Sequence, residues 1–344
     1  MIRLAISGAG AIAERAHIPA FLSMPEVAIV ALQSRTVEKA ERVATAIKSG
    51  ETPRIYRDYD EMLGREHPDA VGIFTPNALH CEFTLKAIAS GAHVVVEKPM
   101  APSVAESRKM VDAAKNAGLV LMVAMQRRFG GLELAIKRAI DEGAIGTPHF
   151  IRSRLSHGGP ETWAPGQNWF FERGDAGGGA MLDLGVHVAD LARWFMREVE
   201  SVSGQVATLG KNISVEDNGV AMLRFRSGAF GVIEASWTSR PALSATEIYG
   251  SDGRIMAGYP RLDIAVLRPD GSPVAGFERD EIMQRFDPRD WLAASRSLAQ
   301  TFVAAIEGKA AANPSGEDGM RAIEIIEACY RSARTGSAIE LPLD

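Results

Sequence analysis

The run Gly8-Ala9-Gly10-Ala11-Ile12-Ala13 follows a short apolar segment and opens a helical pattern, an arrangement suited to holding a pair of phosphates. Gly8 permits a tight turn, Gly10 lets the backbone come close to a pyrophosphate, and the small Ala13 permits close helix packing. The helix start, around Ala9, Gly10, Ala11 and Ile12, then offers free N–H donors and a favourable dipole to the anion. The next apolar run ends Leu32-Gln33-Ser34-Arg35-Thr36, with no carboxylate placed to hold ribose hydroxyls. Ser34 and Arg35 instead supply a hydroxyl and a guanidinium, which suit a 2′-phosphate. An arginine lying across adenine would also accept the unphosphorylated cofactor. The expected ligand is therefore NAD(P), with NADP favoured over NAD.

The elements that must position these residues follow from periodicity. Leu4 to Ser7, Val27 to Ser34, Ala70 to Phe74, His93 to Val96 and Val120 to Ala124 are apolar runs of strand length. Helical stretches alternate with them, the first two about Ile12 to Met24 and Thr36 to Lys48. That rhythm predicts a Rossmann-type α/β domain with a parallel sheet over residues 1–125. From Gln126 the pattern changes to longer alternating segments: Phe150 to Ser156, Ala221 to Phe225, Ala229 to Trp237 and Ala245 to Tyr249. Ser251-Asp252-Gly253 marks a hairpin turn. Two helices, about Asp287 to Glu307 and Glu317 to Arg334, close the chain on either side of Asn313-Pro314. Residues 126–344 are expected to form an α+β domain with a mainly antiparallel, open-faced sheet.

Composition excludes several classes. A formal charge of -5 with scattered basic residues gives no footprint for nucleic acid. The two cysteines, Cys81 and Cys329, make neither a disulfide framework nor a CxxC metal pair. No apolar run has membrane-spanning length, and the amino-terminal run meets Glu14 and Arg15 too soon for a secretory signal. A cytoplasmic protein without membrane contact is expected. In Ala229 to Trp237 both alternating sides carry apolar groups, so part of the sheet's second face is expected to pack on another subunit.

Three further segments carry a resemblance to a known family. They are Phe74-Thr75-Pro76-Asn77-Ala78-Leu79-His80, then Glu97-Lys98-Pro99-Met100-Ala101, then the stretch Gly177-Gly178-Gly179 through Asp183, His187 and Asp190. Over essentially its whole length the chain resembles the glucose–fructose oxidoreductase, inositol dehydrogenase and rhizopine-catabolism group, Gfo/Idh/MocA. The resemblance implies a nicotinamide-dependent oxidoreductase acting on a secondary alcohol of a sugar, cyclitol or sugar derivative, assembled as a homodimer or homotetramer. Lys98, leaving an apolar strand, would stabilise a developing alkoxide and touch substrate. Pro99 matches the family's cis-proline position. Asp183 and His187, four residues apart on one helical face, would position the substrate and move the hydroxyl proton.

The resemblance also gives Thr75 and Asn77 a place at the nicotinamide ribose, with His80 a weaker neighbour. Glu97 would hold the Lys98 ammonium or contact the cofactor. Gln126 is a candidate for the nicotinamide and Arg127 for the substrate, although an interdomain salt bridge would explain Arg127 equally well. Trp169, with Trp163, could stack on a pyranose or simply pack. An Asp183/His187/Asp190 metal face is the rival reading, with no cysteine or His-x3-His pair behind it, and no metal is expected. Two other functions stay open on the same scaffold: a redox-neutral NAD-dependent glycosidase or lyase, and a non-catalytic nicotinamide sensor.

Overall fold

The computed structural model describes residues 1–47, 52–259, 263–285 and 291–343. The chain divides into two compact units, one of residues 1–126 with 292–320, the other of 127–291 with 321–344. Lys48 and Asp287, at the ends of two expected helices, lie outside the described residues.

The first unit is a six-stranded parallel sheet of β1 (Ile2–Ser7), β2 (Val27–Gln33), β3 (Arg54–Tyr56), β4 (Ala70–Ile73), β5 (His93–Val96) and β6 (Leu121–Val123). The order is β3-β2-β1-β4-β5-β6, with every neighbouring pair parallel. Helices cover both faces in such a sheet, which is why all four residues of β4 and Val94 to Val96 of β5 are buried. The helices are bounded by local chemistry. Asp58 accepts the Glu61 amide at 2.7 Å to start Tyr59–Glu66. Ser103 caps Val104–Ala117, and Gly118 ends it in the left-handed region at φ 66°.

The expected helix after the glycine loop is not uniform. It starts as α at Ala11 and Ile12, widens into a π-turn over Ala13–His17, and tightens again to α over Ile18–Leu22. Residues 292–320, which sequence reading leaves in the second half, pack with this unit. Phe302 meets Phe21 edge-on at 6.4 Å, and the Val123 amide donates to the Pro314 carbonyl at 3.2 Å.

The second unit holds an eight-stranded sheet: β7 (Pro148–Ser156), β8 (Val199–Ala207), β9 (Asn218–Phe225), β10 (Phe230–Ser236), β11 (Leu243–Gly250), β12 (Gly253–Tyr259), β13 (Asp263–Leu267) and β14 (Ile339–Glu340). The order is β13-β12-β11-β7-β10-β9-β8-β14, antiparallel except where β7 meets β10. Ser251 and Asp252 close the β11–β12 hairpin where the turn signal stood. The inner face buries Ile151, Leu223, Ile233 and Ile248. On the other face Met222, Phe230 and Met256 remain 54%, 50% and 41% exposed. A helical run, π over Met181–Gly185 and α over Val186–Met196, supplies part of the core. Among the described residues, no helix is long and apolar enough to cross a membrane.

Candidate active site

The loop after β1 has the geometry its glycines imply. Gly8 sits at φ +98°, and a Cβ there would collide with the Phe74 carbonyl at the end of β4. At Gly10 a Cβ would meet nothing within 4 Å, so open space lies over this backbone. Ala13 is fully buried, as close helix packing requires. β1 and β4 are neighbours at the point where strand order reverses, the place where open α/β sheets bind ligands beyond their carboxyl ends. These features fit a dinucleotide, and the open space at Gly10 would leave room for its pyrophosphate.

At the end of β2, Gln33 is structural. Its Oε1 accepts the Ser7 hydroxyl at 2.6 Å and its Nε2 donates to the Arg57 carbonyl at 2.9 Å. Ser34 is half-buried and its Oγ accepts the Thr36 amide at 3.2 Å, while Arg35 is exposed.

The ends of β4 and β5 are clamped by two buried histidines. His80 places Nδ1 2.9 Å from the Pro99 carbonyl and Nε2 2.8 Å from the Thr75 carbonyl. Burial lowers its pKa, against the opposing pull of those carbonyls. The neutral ring has one N–H and donates to one of these carbonyls at a time, lodged between the Thr75 loop and the Lys98–Pro99 turn, whose peptide is cis. Asn77 is buried and Thr75 half-buried in that loop. Glu97 accepts His17 Nε2 at 2.6 Å on one oxygen and the Lys98 amide at 3.0 Å on the other. Lys98 is half-buried at the carboxyl end of the sheet, and Gln126 donates to Ser295 Oγ at 3.4 Å.

In the second unit, Asp183 lies in the π-turn and His187 one turn later in the α-helix. Asp183 is buried and accepts the Trp237 indole N–H at 3.2 Å, while His187 is half-buried. The start of this helix is held by Glu216, whose Oε1 accepts the amides of Gly179 and Met181 at 2.9 and 3.1 Å and the Tyr330 hydroxyl at 2.6 Å. Gly179 must be glycine, because a Cβ would strike the Glu216 carbonyl. Asp190 is taken by the buried guanidinium of Arg128, bidentate at 2.8 and 2.6 Å, so it serves as a structural ion pair. Arg127 donates to Ser244 Oγ at 2.7 Å and lies 3.3 Å from Glu133. Trp169 stacks on Phe170 at 3.8 Å, and Trp163 meets Phe170 edge-on at 5.4 Å with 38% of its surface exposed.

Both halves of the chain match known proteins. Residues 2–125 match the oxidoreductase family with an NAD-binding Rossmann fold, and residues 134–256 match the GFO/IDH/MocA C-terminal domain. The 1,5-anhydro-D-fructose reductase of Ensifer adhaerens is 32% identical over 318 residues, 91% of each chain. The chain belongs to the Gfo/Idh/MocA oxidoreductase family. Within the Gfo/Idh/MocA family, the D-apiose dehydrogenase of Paraburkholderia graminis is 30% identical, over 95% of this chain and 86% of its own. The WlbA dehydrogenase of Bordetella pertussis, solved with NADH and UDP-GlcNAcA, superposes with a TM-score of 0.87 at 27% identity, over 100% of this chain and 98% of its own.

Sequence reading missed His17, Glu216, Arg128 and Trp237. For Arg128 a signal existed, since Asp190 stands in an apolar helix and a buried carboxylate needs a partner. Glu216 had none, because its role depends on residues more than thirty positions away.

Burial holds the Glu216 carboxyl above its ordinary range, although the Tyr330 hydroxyl and the Met181 and Gly179 amides favour its ionised form. A carboxyl raised in the folded state contributes its full stability below the unfolded pKa and loses it as pH rises through the folded one. Glu216→Gln keeps an acceptor and removes the charge. Its urea midpoint should therefore decline less between acid and neutral pH than that of the native protein; parallel declines would contradict this. Glu216→Ala, which strands three donors, should cost about 1–3 kcal/mol.

Proposed function

We propose that this protein is an NAD(P)-dependent dehydrogenase or reductase for a secondary alcohol of a sugar, cyclitol or sugar derivative. The observation that carries the reading is Lys98, half-buried two residues past the fully buried end of β5, on the same sheet edge as the open space over Gly10. The named sugar enzymes among the relatives support the substrate class.

When bound, the nicotinamide supplies a two-electron hydride acceptor or donor. In oxidation, the carbinol C–H bond breaks with its electron pair leaving as hydride, while the O–H proton goes to the protein and a carbonyl forms. Lys98 orients the hydroxyl and stabilises negative charge developing on oxygen. His187 takes the proton in oxidation and returns it in reduction. Asp183, fixed by the Trp237 indole, orients a substrate hydroxyl. Thr75, Asn77 and Gln126 hold the nicotinamide end, and Trp169 offers a ring face to a pyranose.

A panel of D-apiose, D-xylose, D-glucose, myo-inositol and 1,5-anhydro-D-fructose, each with both cofactors, identifies the working substrate through reduced-nicotinamide absorbance. On that substrate, Lys98→Met should lose roughly two to three decades in turnover. His187→Ala should lose about two to four decades and flatten the acidic side of the pH profile. Near-normal turnover in either variant removes that residue from the mechanism.

Cofactor choice rests on Ser34 and Arg35, which suit NADP. Arg35→Ala should weaken NADP by about 1.5–3 kcal/mol in a fluorescence titration, with NAD much less affected. Equal losses would mean that Arg35 serves the adenine, and the NADP preference would fall.

The outward sheet face fits self-association into a homodimer or homotetramer. By strand register Arg154 pairs with Glu234 and Arg152 with Glu247, among the exposed Met222, Phe230 and Met256. Charges of both signs on one apolar patch are self-complementary, as a two-fold contact requires. Light scattering at micromolar concentration should give at least a dimer mass, and a monomer mass would contradict it.

A further inference from the structure

His17 has no place among the residues expected to bind or react, yet it is fully buried at the carboxyl edge of the parallel sheet. Its ring lies on Phe74 with centroids 3.9 Å apart and planes 8° from parallel. Its Nε2 stands 2.6 Å from Glu97 Oε1, and its Nδ1 is buried with no hydrogen-bond partner among the described residues. The network therefore assigns the proton to Nε2, which donates to the carboxylate. The other Glu97 oxygen accepts the amide of Lys98 at 3.0 Å.

The preceding helix is shaped for this contact. Ile18 donates to the Ala13 carbonyl, the wide i→i+5 bond of a π-turn, and His17 closes that turn. One residue added to a helical turn rotates everything after it by about 100°, so a regular α-helix would aim the ring elsewhere. Phenylalanine would satisfy the stack on Phe74. Only an N–H at the Nε2 position satisfies the buried carboxylate of Glu97.

We infer that His17 is a positioning residue for Lys98: its Nε2–H fixes the Glu97 carboxylate, which holds the Lys98 amide and so the direction in which the lysine side chain leaves β5. This rests on the reading that Lys98 acts on the reacting oxygen. The chain of contacts joins the helix of the phosphate loop to the turn that carries the lysine.

The test compares His17→Phe and His17→Gln in the full-length protein, each alone and combined with Lys98→Met, on the best member of the sugar panel. NADPH and NADH affinities are measured by fluorescence without substrate. His17→Phe keeps the stack and loses the donor, so kcat should fall about 30- to 100-fold, the scale of a small misplacement of a reacting group. KM and both cofactor affinities should change less than about threefold, because neither contact is made by His17. His17→Gln, whose amide reaches the Nε2 position, should recover about tenfold of the loss. In the Lys98→Met background His17→Phe should cost less than about threefold more, since its effect runs through the lysine.

Several results would overturn the inference. One is native-like kcat in His17→Phe while Lys98→Met is crippled, which leaves the reading of Lys98 standing. Another is the same fractional loss in both backgrounds, or a loss carried by KM or cofactor affinity, which would make His17 merely structural. Native-like turnover in Lys98→Met would overturn the reading of Lys98 and this inference with it. If His17→Phe does not fold, His17→Asn replaces it, because that amide stops short of Glu97. Equal kcat in the Asn and Gln variants would then overturn the assignment.

Discussion

At Gly8 the chain turns so tightly against the end of β4 that no side chain fits beside the Phe74 carbonyl. This close approach lets the loop after β1 and the loop after β4 share one edge of the sheet. From Phe74 onward the contacts are contiguous: its ring carries His17, His17 reaches Glu97, and Glu97 holds the amide of Lys98. His80 closes the other side, its ring lodged between the Thr75 and Pro99 carbonyls. The residues that face ligand in our reading are thus held by buried partners rather than by their own loops. Such support is what keeps reacting groups within the narrow tolerance that chemistry demands.

The second unit uses the same device with different parts. A buried carboxylate, Glu216, replaces the usual short polar cap and satisfies amides at the start of the helix that carries Asp183 and His187. Trp237 fixes Asp183, and Arg128 fixes Asp190 one turn beyond His187. In both units a π-turn lies next to the candidate residues, Ala13–His17 in one and Met181–Gly185 in the other. A π-turn gives up regular hydrogen bonding to re-aim a side chain, which is why such turns gather at functional sites.

How much of this was legible in the sequence follows from the range of each interaction. The parallel sheet was legible because strands buried on both faces read as unbroken apolar runs, such as Val94 to Val96. The glycine loop was legible because backbone conformation restricts residue type locally. β3 and β14 escaped notice because three and two residues carry no periodicity. β8 escaped because its serines, glycine and glutamine dilute the alternation. The return of residues 292–320 to the first unit brings Phe302 against Phe21, a contact that no local pattern announces. For the same reason the candidate residues themselves were named from motifs, whereas their partners His17, Glu216 and Trp237 were not. Motifs lie along the chain, and the partners are brought together only by the fold.

Under the proposed function, a hydride passes between a carbinol carbon and a nicotinamide. The most direct test of this transfer uses members of the sugar and cyclitol panel deuterated at their carbinol carbons, incubated with the protein and NAD or NADP, with the reduced cofactor analysed by mass. Deuterium should accumulate in the reduced nicotinamide as the labelled sugar is oxidised. Cofactor that binds yet gains no deuterium from any panel member would contradict the account.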